Sequence, residues 1–299
     1  MIVFHDDPFT PFDKEPSRGS PGPGPGIRRS VAVPDAFVPQ SSEAARLRVG
    51  ARPLDPAQWV SSRDGDWAPT IAMKRTLLAD RPREVVACLS GAEEACDEVA
   101  AGVLASVGEP PSAEQGIDAL VDAAVRVADD LCVLQPGADG SPVLTAAVLC
   151  SPNRWRLADK IGGTMGAIHR PVARYPEDLD APVNAMLARL SVGRPVWRVN
   201  WGLSNHPSLF QPEVPPATPG MDIAAMWFRV EWQTLRRLPV TGAILFTIRT
   251  YSERLSDFAA RDRAVVNDFA DLVAKIPEDV AAYKSIAPYR DRVYDYLSG

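Results

Sequence analysis

Apolar and polar residues along this chain follow a helical period at first and an alternating one later, changing over near residue 130. Upstream, "GAEEACDEVAAGVLAS" (91–106) places Ala95, Val99, Val103 and Leu104 on one helical face. A second stripe follows: Ile117, Leu120, Val121, Ala124, Ala128 and Leu131. Ser112 and Gln115 precede it at capping-box spacing, so a second helix is predicted to open at Ser112. Two short runs, "LCVLQP" (131–136) and "VLTAAVLC" (143–150), flank the turn-rich "GADGS" and predict a pair of strands. From Trp155 to Leu190 the pattern is again mostly helical, broken at Gly162, Gly163 and Gly166. Three more strands are predicted, "PVWRVNW" from Pro195, "AMWFRVEWQTLRRL" from Ala225 and "GAILFTIRTY" from Gly242. Beyond Ser256 the chain predicts helix, with Phe258, Val265, Phe269, Leu272 and Val273 as its apolar positions.

These elements give an α+β fold: two strands, a helical insert and three strands, flanked by N- and C-terminal helices. That order resembles a PAS domain, a five-stranded antiparallel sheet with a ligand pocket under the insert. Residues 1–45, with "SRGSPGPGPGIRRS" at their centre, are too rich in Pro, Gly, Ser and charge to offset their ordering entropy, and are expected to be a disordered tail. The fold is expected to start near Leu47, as a single domain over 46–299.

Composition narrows the function. Of 299 residues, 46% are hydrophobic, enough for a sizeable core. The formal net charge of -6 argues against a nucleic-acid partner or an anionic membrane surface, both of which select basic patches. No apolar run approaches the roughly 20 residues that span a bilayer. "MIVFHDDPF" lacks a basic region followed by an apolar one, so a cytoplasmic location is expected. The four cysteines, Cys88, Cys96, Cys132 and Cys150, are not spaced to hold zinc or an iron–sulfur cluster and read as buried free thiols.

Candidate chemistry sits on the later strands. Arg229, Glu231 and Gln233 alternate with Val230, Trp232 and Thr234 and so share one sheet face, as do Arg198 and Asn200 on the strand before. A solvent-facing sheet would give the same pattern. Trp197, Trp201, Trp227, Phe228 and Trp232 fall on both faces, however, which suggests a sheet covered on both sides. Covered Arg, Glu and Gln must be satisfied by one another or by a ligand, and the two propionates of a porphyrin suit arginine. The chain has three histidines: His5 in the tail, His206 in a proline-bearing loop, and His169 at the end of the helical insert. His169 occupies the place from which haem-binding PAS sensors ligate iron; Cys150 is the rival axial ligand or, as a strand-end residue, a packing group.

"SPNRWRLADKIGGTMGAIHRPV", "VGRPVWRVNWGL" and "FRVEWQTLRRLPVTGAILFTIRTY", with "PLDPAQWV" and "ADDLCVL" upstream, resemble the haem-dependent oxidative N-demethylase family over roughly Arg52 to Ser256. The resemblance implies a PAS-fold subunit that binds haem b and oxidises a small secondary amine with dioxygen. Electrons would come from NADPH through a separate flavin and iron–sulfur reductase, with a folate-binding subunit to take up formaldehyde. From its position His169 is expected to be the iron ligand, with Arg198, Arg229 or Arg237 pairing with propionates or polarising bound oxygen, and Gln233 beside them at the cofactor. Glu231, Arg229 and Asn200 would work on the substrate and oxygen. The chain departs from the family at "IHRPVARYP", where members read "IHAPVPGY"; Arg170 and Arg174 therefore put charge near the haem rim, and the substrate can differ. A gas or redox sensor without turnover, a biosynthetic amine or N-oxygenase, and a haem-free binding module stay open as alternatives.

Overall fold

The computed structural model describes residues 31–43, 49–61, 66–172, 174–218 and 220–299. Seven strands occur among them: β1 Arg52–Pro53, β2 Val86–Cys88, β3 Asp130–Pro136, β4 Pro142–Val148, β5 Val196–Ser204, β6 Trp227–Arg237 and β7 Ile244–Arg254. They form one antiparallel sheet in the order β1-β5-β6-β7-β3-β4-β2. The helices are α1 Trp67–Asp80, α2 Pro82–Val85, α3 Glu93–Ser106, α4 Gly116–Ala124, α5 Met165–Ile168, α6 Asp180–Arg189, α7 Leu255–Ala259, α8 Arg263–Lys275, α9 Glu278–Tyr283 and α10 Arg290–Ser298. A π-helical turn, Tyr175–Leu179, leads into α6.

Alternation along the strands divides the core into three parts. On one face, Leu131, Val133, Ala146, Val148 and Leu245 pack against α3 and α4 through Cys96, Val99, Val103 and Leu120. Further along that face, Trp201, Leu203, Phe228, Val230 and Trp232 meet the C-terminal helices through Phe258, Phe269, Val273 and Val293. The opposite face carries Cys132, Leu134, Ala147, Leu235 and Ile248, which pack against the insert through Leu157, Met165, Tyr175, Val183 and Leu187. Both faces are therefore covered, and Arg229, Glu231 and Gln233 on the insert face are buried with it.

Several sequence expectations change in detail. The sheet has seven strands where five were expected; the extra two are short edge strands with too few residues to show a period. The second helix opens at Gly116, whose N–H donates to Asp97 Oδ1 at 2.6 Å. Ser112 instead accepts the Glu114 N–H in a local turn. Leu131, counted in the helical stripe, belongs to β3. Helix α1 was not anticipated, because the side chains it buries are Thr70, Ile71 and Lys74 rather than an apolar stripe. Lys74 is fully buried, donating to the carbonyls of Val127 and Asp129 at 3.1 and 2.6 Å and lying 3.9 Å from Asp130 Oδ1.

Part of the expected tail is packed. Val33 is buried among the C-terminal core residues. Its N–H reaches Glu253 Oε2 at 3.3 Å, and the Val31 N–H reaches the Ser252 carbonyl at 3.1 Å. Described residues before 46 thus contact the fold; residues 1–30 lie outside the described residues.

Candidate functional site

The insert is built to present one histidine. Gly162 has φ +77°, and a Cβ on Gly163 would sit 2.9 Å from the Lys160 carbonyl, so the turn into α5 needs both glycines. Thr164 caps α5 by accepting the Ala167 N–H. His169 follows at the C-terminal end, and its ring Nδ1 lies 2.9 Å from the Met165 carbonyl. A carbonyl only accepts, so Nδ1 carries the proton and Nε2 keeps its lone pair. The ring stacks on Tyr175 at a centroid distance of 4.6 Å and an interplanar angle of 8°. Burial pulls the imidazole below its ordinary pKa; the Met165 bond acts the other way, and Arg198 adds to the lowering. His169 is thus a neutral donor of fixed tautomer, the form in which histidine ligates metal.

Opposite the insert, strand register assembles the polar face. Arg198 pairs with Gln233, Asn200 with Glu231, and Glu231 in turn with Thr250 of β7. Glu231 is 5% exposed and Gln233 8%. Glu231 Oε2 accepts from Asn200 Nδ2 at 3.3 Å and from Gln233 Nε2 at 2.9 Å, while Arg229 Nε stands 3.8 Å from Oε1. Arg229 also donates to the carbonyls of Leu209 and Ser151 at 2.9 and 2.6 Å, so it ties two loops to the sheet. Burial lowers the pKa of Arg198, with Glu231 opposing. Three buried polar atoms in this region, Arg198 Nε, Tyr175 Oη and Thr250 Oγ1, have no hydrogen-bond partner among the described residues.

Three other candidate positions lie apart. Arg237 gives Nε to Leu190 O, Nη1 to Gly242 O and Nη2 to Leu187 O at 2.6, 2.7 and 2.9 Å. It caps the C-terminal end of α6 rather than joining the cluster. His206 is exposed and accepts the Ser208 N–H at Nδ1. Cys150 is fully buried in the core under α3 and α4, where burial pushes its thiol up to about 12, as suits a packing residue. Of the arginines in the departing segment, Arg170 is exposed. Arg174, at φ +55°, reaches Asp279 of α9 at 2.8 Å and so ties the insert to the C-terminal helices.

Lys284 joins this face without any signal in the sequence. Its Nζ donates to the Trp201 carbonyl at 2.7 Å and to Asn200 Oδ1 at 3.3 Å, and lies 4.6 Å from the Trp201 ring centroid. Pro277 with Glu278 and Asp279 marks the start of α9, but nothing local marks the lysine beyond its end. Tertiary packing alone brings it to the face.

A haem needs one neutral axial donor and cations for its propionates. His169 Nε2 and Arg198, whose buried guanidinium Nε has no hydrogen-bond partner among the described residues, fit those needs. No three His, Cys, Asp or Glu side chains among the described residues converge on a metal site, and none of the described helices is long and apolar enough to cross a membrane. The family model for "haem-dependent oxidative N-demethylase, alpha subunit-like" proteins matches residues 105–294, a span that takes in β3 to β7, the insert, His169, the polar face and Lys284. On that match the chain belongs to the haem-dependent oxidative N-demethylase alpha subunit-like family.

Proposed function

We propose that the chain is the haem b-bearing subunit of a cytoplasmic oxygenase that removes a methyl group from a small amine. The observation that carries this is His169: neutral, fixed by Met165, stacked on Tyr175, and facing a sheet whose Arg198 lacks an anionic partner. Its sheet would be PAS-like, a reading supported by the order of the five central strands, β4-β3-β7-β6-β5.

His169 Nε2 would hold the iron, and Arg198 would pair with a propionate. Once bound, the haem supplies dioxygen chemistry and single-electron steps that amino-acid side chains do not. Glu231 Oε1 holds the substrate nitrogen, while Asn200 and Gln233 keep the carboxylate in place from its other oxygen. Arg229 balances the buried charge of Glu231 and anchors the surrounding loops. The insert and the C-terminal helices, tied by Arg174 and Asp279, exclude water from this face. The overall reaction consumes the N-methyl amine, dioxygen, two electrons and two protons, and yields the demethylated amine, formaldehyde and water. The methyl carbon is oxidised, the C–N bond breaks and the nitrogen keeps a proton. Electrons come from NADPH through a separate flavin and iron–sulfur reductase; the alpha subunit-like description supports a partner subunit.

The test is turnover of the full chain with a reductase, NADPH and an N-methyl amine. One formaldehyde per dioxygen consumed is expected. Reversible binding of oxygen or carbon monoxide without formaldehyde would make the chain a sensor.

A further inference from the structure

Lys284 and Glu231 approach the same amide from opposite sides. Asn200 Nδ2 donates to Glu231 Oε2 at 3.3 Å, and Asn200 Oδ1 accepts from Lys284 Nζ at 3.3 Å. A carboxylate and an ammonium are thus held one amide group apart, each with unused capacity. Glu231 Oε2 takes both amide donors, while Oε1 has only Arg229 Nε at 3.8 Å, beyond hydrogen-bonding distance. Lys284 spends two donors on neutral carbonyl oxygens, and no carboxylate among the described residues lies within ion-pair distance of it. An ammonium has a third donor to give.

The charged groups facing Lys284 are Arg198 on β5, Arg154 after β4 and Glu231 on β6. Burial, then Arg198, lowers the ammonium to about 7; Glu231 opposes this and Arg154 reinforces it. The site therefore has a cationic position that lacks an anion beside an anionic position that can accept another donor.

We propose that Glu231 and Lys284 bind the two ends of a zwitterion, so that the substrate is an N-methyl amino acid, its nitrogen at Glu231 Oε1 and its carboxylate at Lys284 Nζ. The proposal rests on the amine-oxidising reading above and narrows its substrate. An alkylamine without an acid group gives Lys284 no anion to pair with; an amino acid occupies both positions, with Arg198 left for a propionate. A carboxylate arriving at Lys284 also favours its charged form, so binding takes up a proton wherever the free lysine is neutral.

The experiment is calorimetry on the haem-loaded full chain at pH 8, with N-methylglycine and with dimethylamine, in two buffers of different ionisation enthalpy. N-methylglycine should bind at least about tenfold more tightly, with close to one proton taken up per ligand, since a lysine with pKa about 7 is mostly neutral there. Lys284→Met should lose both the preference and the uptake. Lys284→Arg, which keeps charge and donors but does not titrate, should keep the preference without the uptake. Equal or absent binding of the two ligands by the native chain overturns the proposal, as does a preference that survives Lys284→Met or binding without proton uptake. Loss of haem from Lys284→Met overturns it too, by assigning the lysine to a propionate. A haem-free chain that still shows the preference and the uptake would sink the haem reading and leave the zwitterion site standing.

Discussion

Replacing Arg237 with Met separates the two roles open to this arginine, cofactor contact or helix cap. Its guanidinium makes three hydrogen bonds to main-chain carbonyls, of Leu187 and Leu190 at the end of α6 and of Gly242 in the turn between β6 and β7. Met keeps the aliphatic stem and removes all three donors. A hydrogen bond from a charged group contributes about 1.5–3 kcal/mol, but these carbonyls are only partly buried and water can replace part of the loss. Taking the low end and some rehydration gives a cost of about 3 kcal/mol. For a fold of this size that lowers Tm by roughly 6–12 °C. Thermal melts followed by circular dichroism would measure the shift, and the haem-to-protein absorbance ratio at 25 °C would report the cofactor. A large fall in Tm with haem unchanged is expected. A Tm within about 2 °C of the native chain with haem lost would refute the cap assignment and return Arg237 to the cofactor.

Further outcomes follow from the same geometry. His169→Ala should abolish or greatly weaken haem binding, while His206→Ala, at an exposed loop position, should leave it intact; an unchanged Soret maximum in the His169 variant would place the ligand elsewhere. Glu231→Gln keeps the shape and removes the charge, so amine affinity measured by spectral titration should fall at least about tenfold, the equivalent of 1.4 kcal/mol, with the Soret band retained; an unchanged titration with a lowered melting point would make Glu231 structural. Because the folded-state pKa of His169 lies below the ordinary imidazole value, the unfolded chain binds the proton first as pH falls. The contribution of neutral His169 to stability is therefore complete above that value and is lost on acidification below it. Haem retention should fall in the same direction, and a preparation that held haem equally well from pH 8 to pH 5 would contradict this.

Strand identity was legible wherever a strand is long and two-faced. β6 alternates Phe228, Val230 and Trp232 against Arg229, Glu231 and Gln233, and the structure keeps that division, with aromatic residues toward the C-terminal helices and polar ones toward the insert. The position of His169 was legible as well, because glycines and a proline bracket the insert. Short edges were not: β1 and β2 take their structure from their neighbours, and two or three residues carry no period. Helix α1 was hidden because Lys74 goes into the core with its partners Val127, Asp129 and Asp130 supplied by a distant stretch of chain. Lys284 was hidden for the same reason, since its partners Asn200 and Trp201 lie more than eighty residues earlier. Arg237 shares a strand with Glu231, but its guanidinium donates to carbonyls at the far end, which no local pattern in the sequence marks.

The most direct test of the central claim is the absorption spectrum of the full chain, expressed with iron and a haem precursor and recorded oxidised, reduced, and reduced under carbon monoxide. The account predicts about one haem per chain and a Soret band that moves on reduction and again with carbon monoxide. A colourless preparation that also fails to take up added haemin would contradict it.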